Sequence, residues 1–383
     1  MDLELGDAHR ELREVARAWV DKEVVPYAAA WDRAESVDTS IVRKLGDMGF
    51  LGIEIPEEYG GSGGDALSYC VLLEELGRGD SSVRGIVSVS LGLVGKSIKS
   101  YGSEQQKRDW LPRLCAGESL GCFGLTEPGT GSDAANLTTR AVRDGEDWVL
   151  TGTKMFITNG TWADIALIFA RTGEPGPKGV TAFLVPTDAP GFGRTEIKGK
   201  LGLRGQATAE IVLDGVRVPD SARLGDEGHG FRIAMAALDK GRMGVAAGCV
   251  GVARACLEAA VRYAGEREQF GKPIATYQLV QELIADIAVD VDAARLLAWR
   301  VADLVDRGKP FGTEASVAKL FASEAAVKAA NNAIQVFGGY GYIDEYPVSK
   351  YLRDARVLTL YEGTSQIQKL LIGRALTGVN AFV

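Results

Sequence analysis

The chain has 383 residues, 46% of them hydrophobic and 25% charged, with a formal net charge of −8 at pH 7. That apolar content excludes intrinsic disorder, and at ~150 residues per domain the length predicts two or three domains. The acidic balance, with basic residues scattered rather than run together, argues against nucleic acid as a partner.

In chain order, residues 1–5 are acidic and carry neither a basic n-region nor an apolar h-region, so no secretory signal is expected. Leu12, Val15, Ala16, Trp19 and Val20 fall on one helical face that ends near Pro26. The glycine-rich stretch 57–65 reads as a loop before another helical run, 67–76. Residues 1–118 are therefore read as a helical domain.

From 119 to 229 the pattern changes to short apolar runs at 148–150, 166–169, 181–185 and 210–213. Asp144-Gly145 and Asp214-Gly215 are hairpin signals, and Pro186, Pro190 and Pro219 bound the strands. A small antiparallel β domain is expected. Long helices return over 230–383. Leu279, Leu283, Ile287, Val291, Ala294, Ala298 and Val301 keep helical spacing until Gly308-Lys309-Pro310, and Thr313-Glu314 opens the next helix. The fold class is mainly α with a middle β domain, the last segment a helical bundle. The longest apolar run, 243–253, stops at Arg254 and is too short to span a bilayer, so no membrane is expected. Five cysteines without a Cys-x-x-Cys pair predict reduced thiols and a cytoplasmic location. With only His9 and His229, neither a metal site nor a histidine-based triad is expected.

Two segments could carry chemistry. Gly129-Thr130-Gly131-Ser132-Asp133-Ala134 formally matches a dinucleotide fingerprint, but Glu127-Pro128 precedes it and a β-like run follows, so a Rossmann unit is not expected. It reads as a surface turn or, alternatively, as a loop whose amides and hydroxyls (Thr126, Ser132) meet a polar ligand. Near the C-terminus, Thr364 or Ser365 is a plausible N-cap, and Glu362 stands just outside that helix. Its carboxylate is either solvated or projected into a cleft.

The motifs, taken in register, resemble the acyl-CoA dehydrogenase family over essentially the whole chain, particularly its short-chain and branched-chain members. They are Leu125-Thr126-Glu127-Pro128-Gly129-Thr130-Gly131-Ser132-Asp133, Gly152-Thr153-Lys154-Met155-Phe156-Ile157-Thr158-Asn159-Gly160, Lys200-Leu201-Gly202-Leu203-Arg204-Gly205, Arg267-Glu268-Gln269-Phe270-Gly271, Gln335-Val336-Phe337-Gly338-Gly339-Tyr340-Gly341, Tyr351-Leu352-Arg353-Asp354-Ala355-Arg356 and the 361–368 segment. The resemblance implies an N-terminal helical domain, a middle β domain and a C-terminal four-helix bundle. It also implies FAD between the last two, and a homotetramer. It places Phe123, Leu125, Thr126 and Ser132 along the flavin, Ser132 also reaching the acyl-CoA, and Phe156, Ile157 and Thr158 around the isoalloxazine. Arg267, Phe270, Gln278, Gln335 and Gly339 match the pyrophosphate and adenosine end, partly across a subunit interface, and Thr364 and Gln366 match further FAD contacts.

The implied reaction is α,β-dehydrogenation of an acyl-CoA thioester, with electrons passing to an electron-transfer flavoprotein. Glu362 matches the base, in an apolar cleft that should raise its pKa. Its N–H and a ribityl hydroxyl would polarise the thioester carbonyl. Relatives that carry the base on a bundle helix place it where this chain has Gly241, so no carboxylate competes for the role. Asp239, Arg242 and Gly363 match substrate contacts, although Asp239 and Arg242 could equally form an i,i+3 ion pair. Short or short branched acyl chains are the expected substrates, with Val89 near the pocket floor. Arg84 falls where glutaryl-CoA dehydrogenases hold a distal carboxylate, and is read here as a helix-end surface residue. A flavin monooxygenase on the same fold and a non-catalytic acyl-CoA-binding scaffold are further alternatives.

Overall fold

The computed structural model describes residues 4–381; Met1, Asp2 and Leu3 of the acidic start lie outside them. The first part holds seven helices: α1 (Asp7–Glu23), α2 (Ala28–Ala34), α3 (Ser40–Asp47), α4 (Ala66–Gly79), α5 (Ser81–Val89), α6 (Lys96–Tyr101) and α7 (Glu104–Cys115). α1 buries Ala16 and Val20 and leaves Val15 exposed. Asp65 caps α4 by accepting the Ser68 N–H. Asp80 ends α4 and caps α5, its carboxylate accepting the N–H groups of Ser82 and Val83. One acidic residue thus makes the corner between two buried helices.

The middle part is one sheet built from β1 (Gly121–Gly124), β2 (Arg140–Asp144), β3 (Asp147–Thr158), β4 (Ile165–Arg171), β5 (Val180–Pro186), β6 (Phe192–Glu196), β7 (Thr208–Pro219) and β8 (Arg223–Leu224). The order is β6-β7-β3-β2-β4-β5-β8, with β1 also on β4. It is mostly antiparallel as expected, but β1 and β2 each run parallel to β4. Asp144-Gly145 turns the β2–β3 hairpin. Asp214-Gly215 does not make a second one. It is a bulge inside β7, where the β3–β7 register slips between Leu150 and Gly152 and Gly215 takes φ +65°. An Asp-Gly pair supplies the left-handed residue that a bulge needs as readily as the one a turn needs.

The last part comprises α8 (Gly230–Glu266), the two-residue strands β9 (Glu268–Gln269) and β10 (Lys272–Pro273), α9 (Gln278–Asp306), α10 (Gly312–Phe337), α11 (Val348–Leu358) and α12 (Ser365–Thr377). Arg254 does not interrupt the apolar run in the way its charge suggested. Its guanidinium turns onto Glu74 at 2.6 Å and Glu75 at 2.7 Å, both on α4. α8 is consequently the one helix among the described residues long and apolar enough to cross a membrane, and 72% of its most apolar window is buried against neighbouring helices.

α8 packs closely because of what it lacks. Gly241, Gly244, Gly248 and Gly251 share one face at helical spacing. A Cβ at Gly251 would stand 2.1 Å from the Glu74 carbonyl, and one at Gly248 2.4 Å from Arg84 Cδ. At Gly241 it would stand 2.1 Å from Glu362 Oε2. This face admits the α4 backbone at one end and two charged side chains further along.

Candidate active site

On the sheet, β1 delivers Phe123, Leu125 and Thr126 beside the end of β3, where the Met155 N–H donates to the Thr126 carbonyl. A second register slip, between Lys154 and Ile157, turns Phe156 outward at φ +61° and leaves it 67% exposed. A bulky exposed residue held in the left-handed region is costly, and such residues collect at ligand sites. Thr158 accepts from Gln206 at 2.7 Å. Thr126 and the exposed Ser132 make no side-chain hydrogen bond among the described residues. The Ile157 side chain is buried in the sheet core beside Phe156.

The glycine loop after β1 is anchored from below. Lys154, fully buried, reaches Glu127 at 2.8 Å, and the same carboxylate accepts the N–H groups of Thr138 and Thr139. Burial would raise the Glu127 carboxyl; the Lys154 ammonium and these donors instead hold it at about 2. The loop is therefore a fixed surface whose exposed rim carries Ser132.

The second constellation is the turn between α11 and α12. Thr364 is the N-cap, accepting the Ile367 N–H at 3.2 Å. Just before it Glu362 takes φ +50° and Gly363 φ +92°. Their carbonyls are held by buried donors. Gln368 Nε2 donates to both, at 3.1 and 3.0 Å, Lys319 Nζ donates to Gly363 O at 2.7 Å, and Arg242 Nε reaches Glu362 O at 3.4 Å. The strained turn aims the Glu362 side chain over Gly241, and Oε2 is buried with no hydrogen-bond partner. Burial pushes the carboxyl up to about 7, against the pull of Arg84, Lys319 and Arg242. Asp239 and Arg242 do form the i,i+3 pair, beside the Glu362 carbonyl that Arg242 also reaches.

Arg84 is not a surface residue. It is 2% exposed, and its guanidinium donates to Ser88 and Tyr361 beside Glu362. Nε is buried without a partner, and no carboxylate pairs with the group among the described residues. The space it fills exists because residue 248 is glycine. Sequence reasoning missed this and Lys319, because their partners are distant in the chain, and missed Gln368, because its amide folds back onto the carbonyls of the turn just before it.

A third set gathers elsewhere. Arg267, Gly339 and Tyr340 line a cavity of about 440 Å³, with the Arg267 guanidinium 5.7 Å from the Tyr340 ring centre and free of ion pairs among the described residues. Phe270, at φ +52°, is 94% exposed beside Tyr277. Gln278 and Gln335 are exposed, and so is Gln366, which lies on α12 beside the Glu362 turn instead. No hydrogen bond or ring contact among the described residues joins the Arg267 set to the Glu362 turn.

Three family models cover nearly the whole chain: acyl-CoA dehydrogenase N-terminal domain over 6–118, middle domain over 122–216 and C-terminal domain over 228–377. The mitochondrial short-chain specific acyl-CoA dehydrogenase of Rattus norvegicus is 44% identical over 371 residues, covering 97% of this chain and 90% of the relative. A glutaryl-CoA dehydrogenase from Mycobacterium smegmatis, solved in complex with FADH2, superposes with TM-score 0.95 at 40% identity, covering 99% of this chain and 97% of that one. A chain solved in work on the electron transferring flavoprotein of Acidaminococcus fermentans superposes with TM-score 0.97 at 41% identity, covering 98% and 100%. Motifs, architecture and the carboxylate-bearing turn agree with these likenesses, and the chain belongs to the acyl-CoA dehydrogenase family.

Proposed function

We propose that Glu362 removes the α-proton of a short acyl-CoA thioester in an FAD-dependent dehydrogenation that yields the trans-2-enoyl thioester. The observation that carries this reading is the buried, unpartnered Oε2 of Glu362 in the space left by Gly241. A carboxyl at about 7 suits a general base at neutral pH, since a large share of it is ionised while it remains a strong proton acceptor. The Glu362 N–H has no partner among the described residues and is free to donate to the thioester carbonyl. A non-catalytic scaffold would have no use for such a carboxylate.

The residues present fit FAD. The exposed ring of Phe156, the free Thr126 hydroxyl and Thr158 offer a flat ring a platform with polar edges, and the unpaired Arg267 at an open cavity suits a pyrophosphate. When bound, FAD supplies the two-electron acceptor for the β-hydrogen. This chain's part is to hold the thioester, exclude water and take the proton on Glu362.

Glu362→Gln holoenzyme should keep its flavin and lose about 10²–10⁴-fold in turnover. Bleaching of its flavin by substrate at wild-type speed would rule the base out.

A second reading is favoured by Arg84. A buried guanidinium with no carboxylate partner among the described residues would donate to a distal carboxylate, making glutaryl-CoA or a similar dicarboxylyl ester the substrate. Turnover of glutaryl-CoA against butyryl-CoA decides between them. Preference for glutaryl-CoA that collapses in Arg84→Ala would replace the simple short-chain reading. We further propose an electron-transfer flavoprotein as electron acceptor and a homotetramer as the assembly, in keeping with the Acidaminococcus likeness and with exposed Phe270, Leu279 and Tyr342.

A further inference from the structure

Lys319 lies on α10, fully buried, and makes no ion pair among the described residues. Its one hydrogen bond goes to the Gly363 carbonyl at 2.7 Å. That carbonyl already accepts from the Gln368 amide at 3.0 Å, so satisfying it does not call for a charge. A buried ammonium is expensive, and a neutral donor could hold the turn at far less cost. What Lys319 adds is positive charge, at the residue next to the proposed base.

The neighbourhood shows where that charge acts. Glu362 is faced by Tyr69 of α4, Arg84 of α5, Arg242 and Cys249 of α8, and Lys319 of α10, with Tyr361 preceding it in the chain. Arg242 is neutralised by Asp239. Arg84 and Lys319 are not neutralised by any carboxylate at ion-pair distance among the described residues. Glu324 of α10 acts on Lys319 only from beyond ion-pair distance, its carboxylate accepting from the Ser365 hydroxyl, so Glu362 is one carboxylate among two buried cations with no ion-pair partner among the described residues.

Resting on the reading of Glu362 as base, we propose that Lys319 is a positioning residue that keeps the buried Glu362 carboxylate ionised while pinning the Glu362–Gly363 turn. Burial also draws the Lys319 ammonium down to about 8, against the pull of Cys249 and Glu362, so it remains charged at neutral pH. Once Glu362 has taken the α-proton, the negative charge passes to the substrate's enolate, still within the field of the same cation.

The test is flavin bleaching in the holoenzyme across pH 5.5–9.5, with whichever of butyryl-CoA or glutaryl-CoA is turned over, in wild type, Lys319→Met and Lys319→Gln. Either variant suffices if the other does not fold. The rate midpoint should move up by about one pH unit or more, giving roughly tenfold slower bleaching at pH 7, with most of the rate recovered above the new midpoint. An unmoved midpoint, with the rate unchanged or lowered uniformly, would overturn the proposal and leave Lys319 a structural donor. Glu362→Gln in the same assay separates the two claims. If it bleaches at wild-type speed, the base and this inference fall together; if it is inert while the Lys319 midpoint stays put, this inference alone falls.

Discussion

Glu362 concentrates the tension at this site in one side chain. Its carboxyl sits at about 7 in the fold, against an ordinary value of 4.5, because burial disfavours its charge. The folded state therefore binds that proton more tightly than the unfolded chain. Its contribution to stability is full below pH ~4.5 and is lost as the pH rises through about 7. The loss amounts to about 3 kcal/mol. Glu362→Gln, which mimics the protonated form, should accordingly melt higher than wild type at pH 8 and no higher at pH 4.5. Equal melting temperatures at pH 8 would contradict the buried carboxylate. Gly241→Ala tests the same space from the opposite side. A methyl 2.1 Å from Oε2 must displace the carboxylate, and turnover should fall about 10²-fold with flavin retained. Glu362 was legible in the sequence because a helix start and a motif flank it. Arg84 was not, since its burial depends on a missing Cβ on another helix, and no local pattern reports that.

Among the elements, periodicity exposed α1 and much of α9, where one face is buried and the other is wet. It gave α4 as a helical run over 67–76 and long helices from 230, but was silent on which face α4 and α8 bury, since both are enclosed nearly all round and show no alternation. The Asp214-Gly215 bulge was read as a turn because both demand the same left-handed residue. The loop after β1 shows how a motif becomes rigid. Lys154→Met would leave Glu127 charged and buried with only the Thr138 and Thr139 N–H groups and the Thr138 hydroxyl as donors, costing about 3–5 kcal/mol. Reduced flavin affinity should accompany that loss, because the loop carrying Thr126 and Ser132 would no longer be fixed; a variant with wild-type melting temperature would show the pair to be dispensable.

For the whole molecule, the succession of helical, β and helical parts was readable from apolar periodicity and turn signals, whereas their docking was not. The Arg267 set and the Glu362 turn share no direct hydrogen bond or ring contact among the described residues, and the proposed homotetramer would bring them to one FAD across a subunit interface. Arg267→Ala should lower flavin occupancy and shift light scattering toward smaller species, since cofactor and subunit binding draw on the same native state. Full occupancy with unchanged mass would separate them. α8 has a consequence for how the protein is made. Its glycine face and apolar length are harmless only once α4, α9 and α10 enclose it, and α9 and α10 are synthesised later. At roughly 5–20 residues per second, a nascent chain displays this helix uncovered for several seconds, long enough for chaperones or a membrane-targeting factor to compete for it. Ribosome stalling once Glu266 has cleared the exit tunnel should therefore produce aggregation or mistargeting that stalling once Phe337 has cleared it does not.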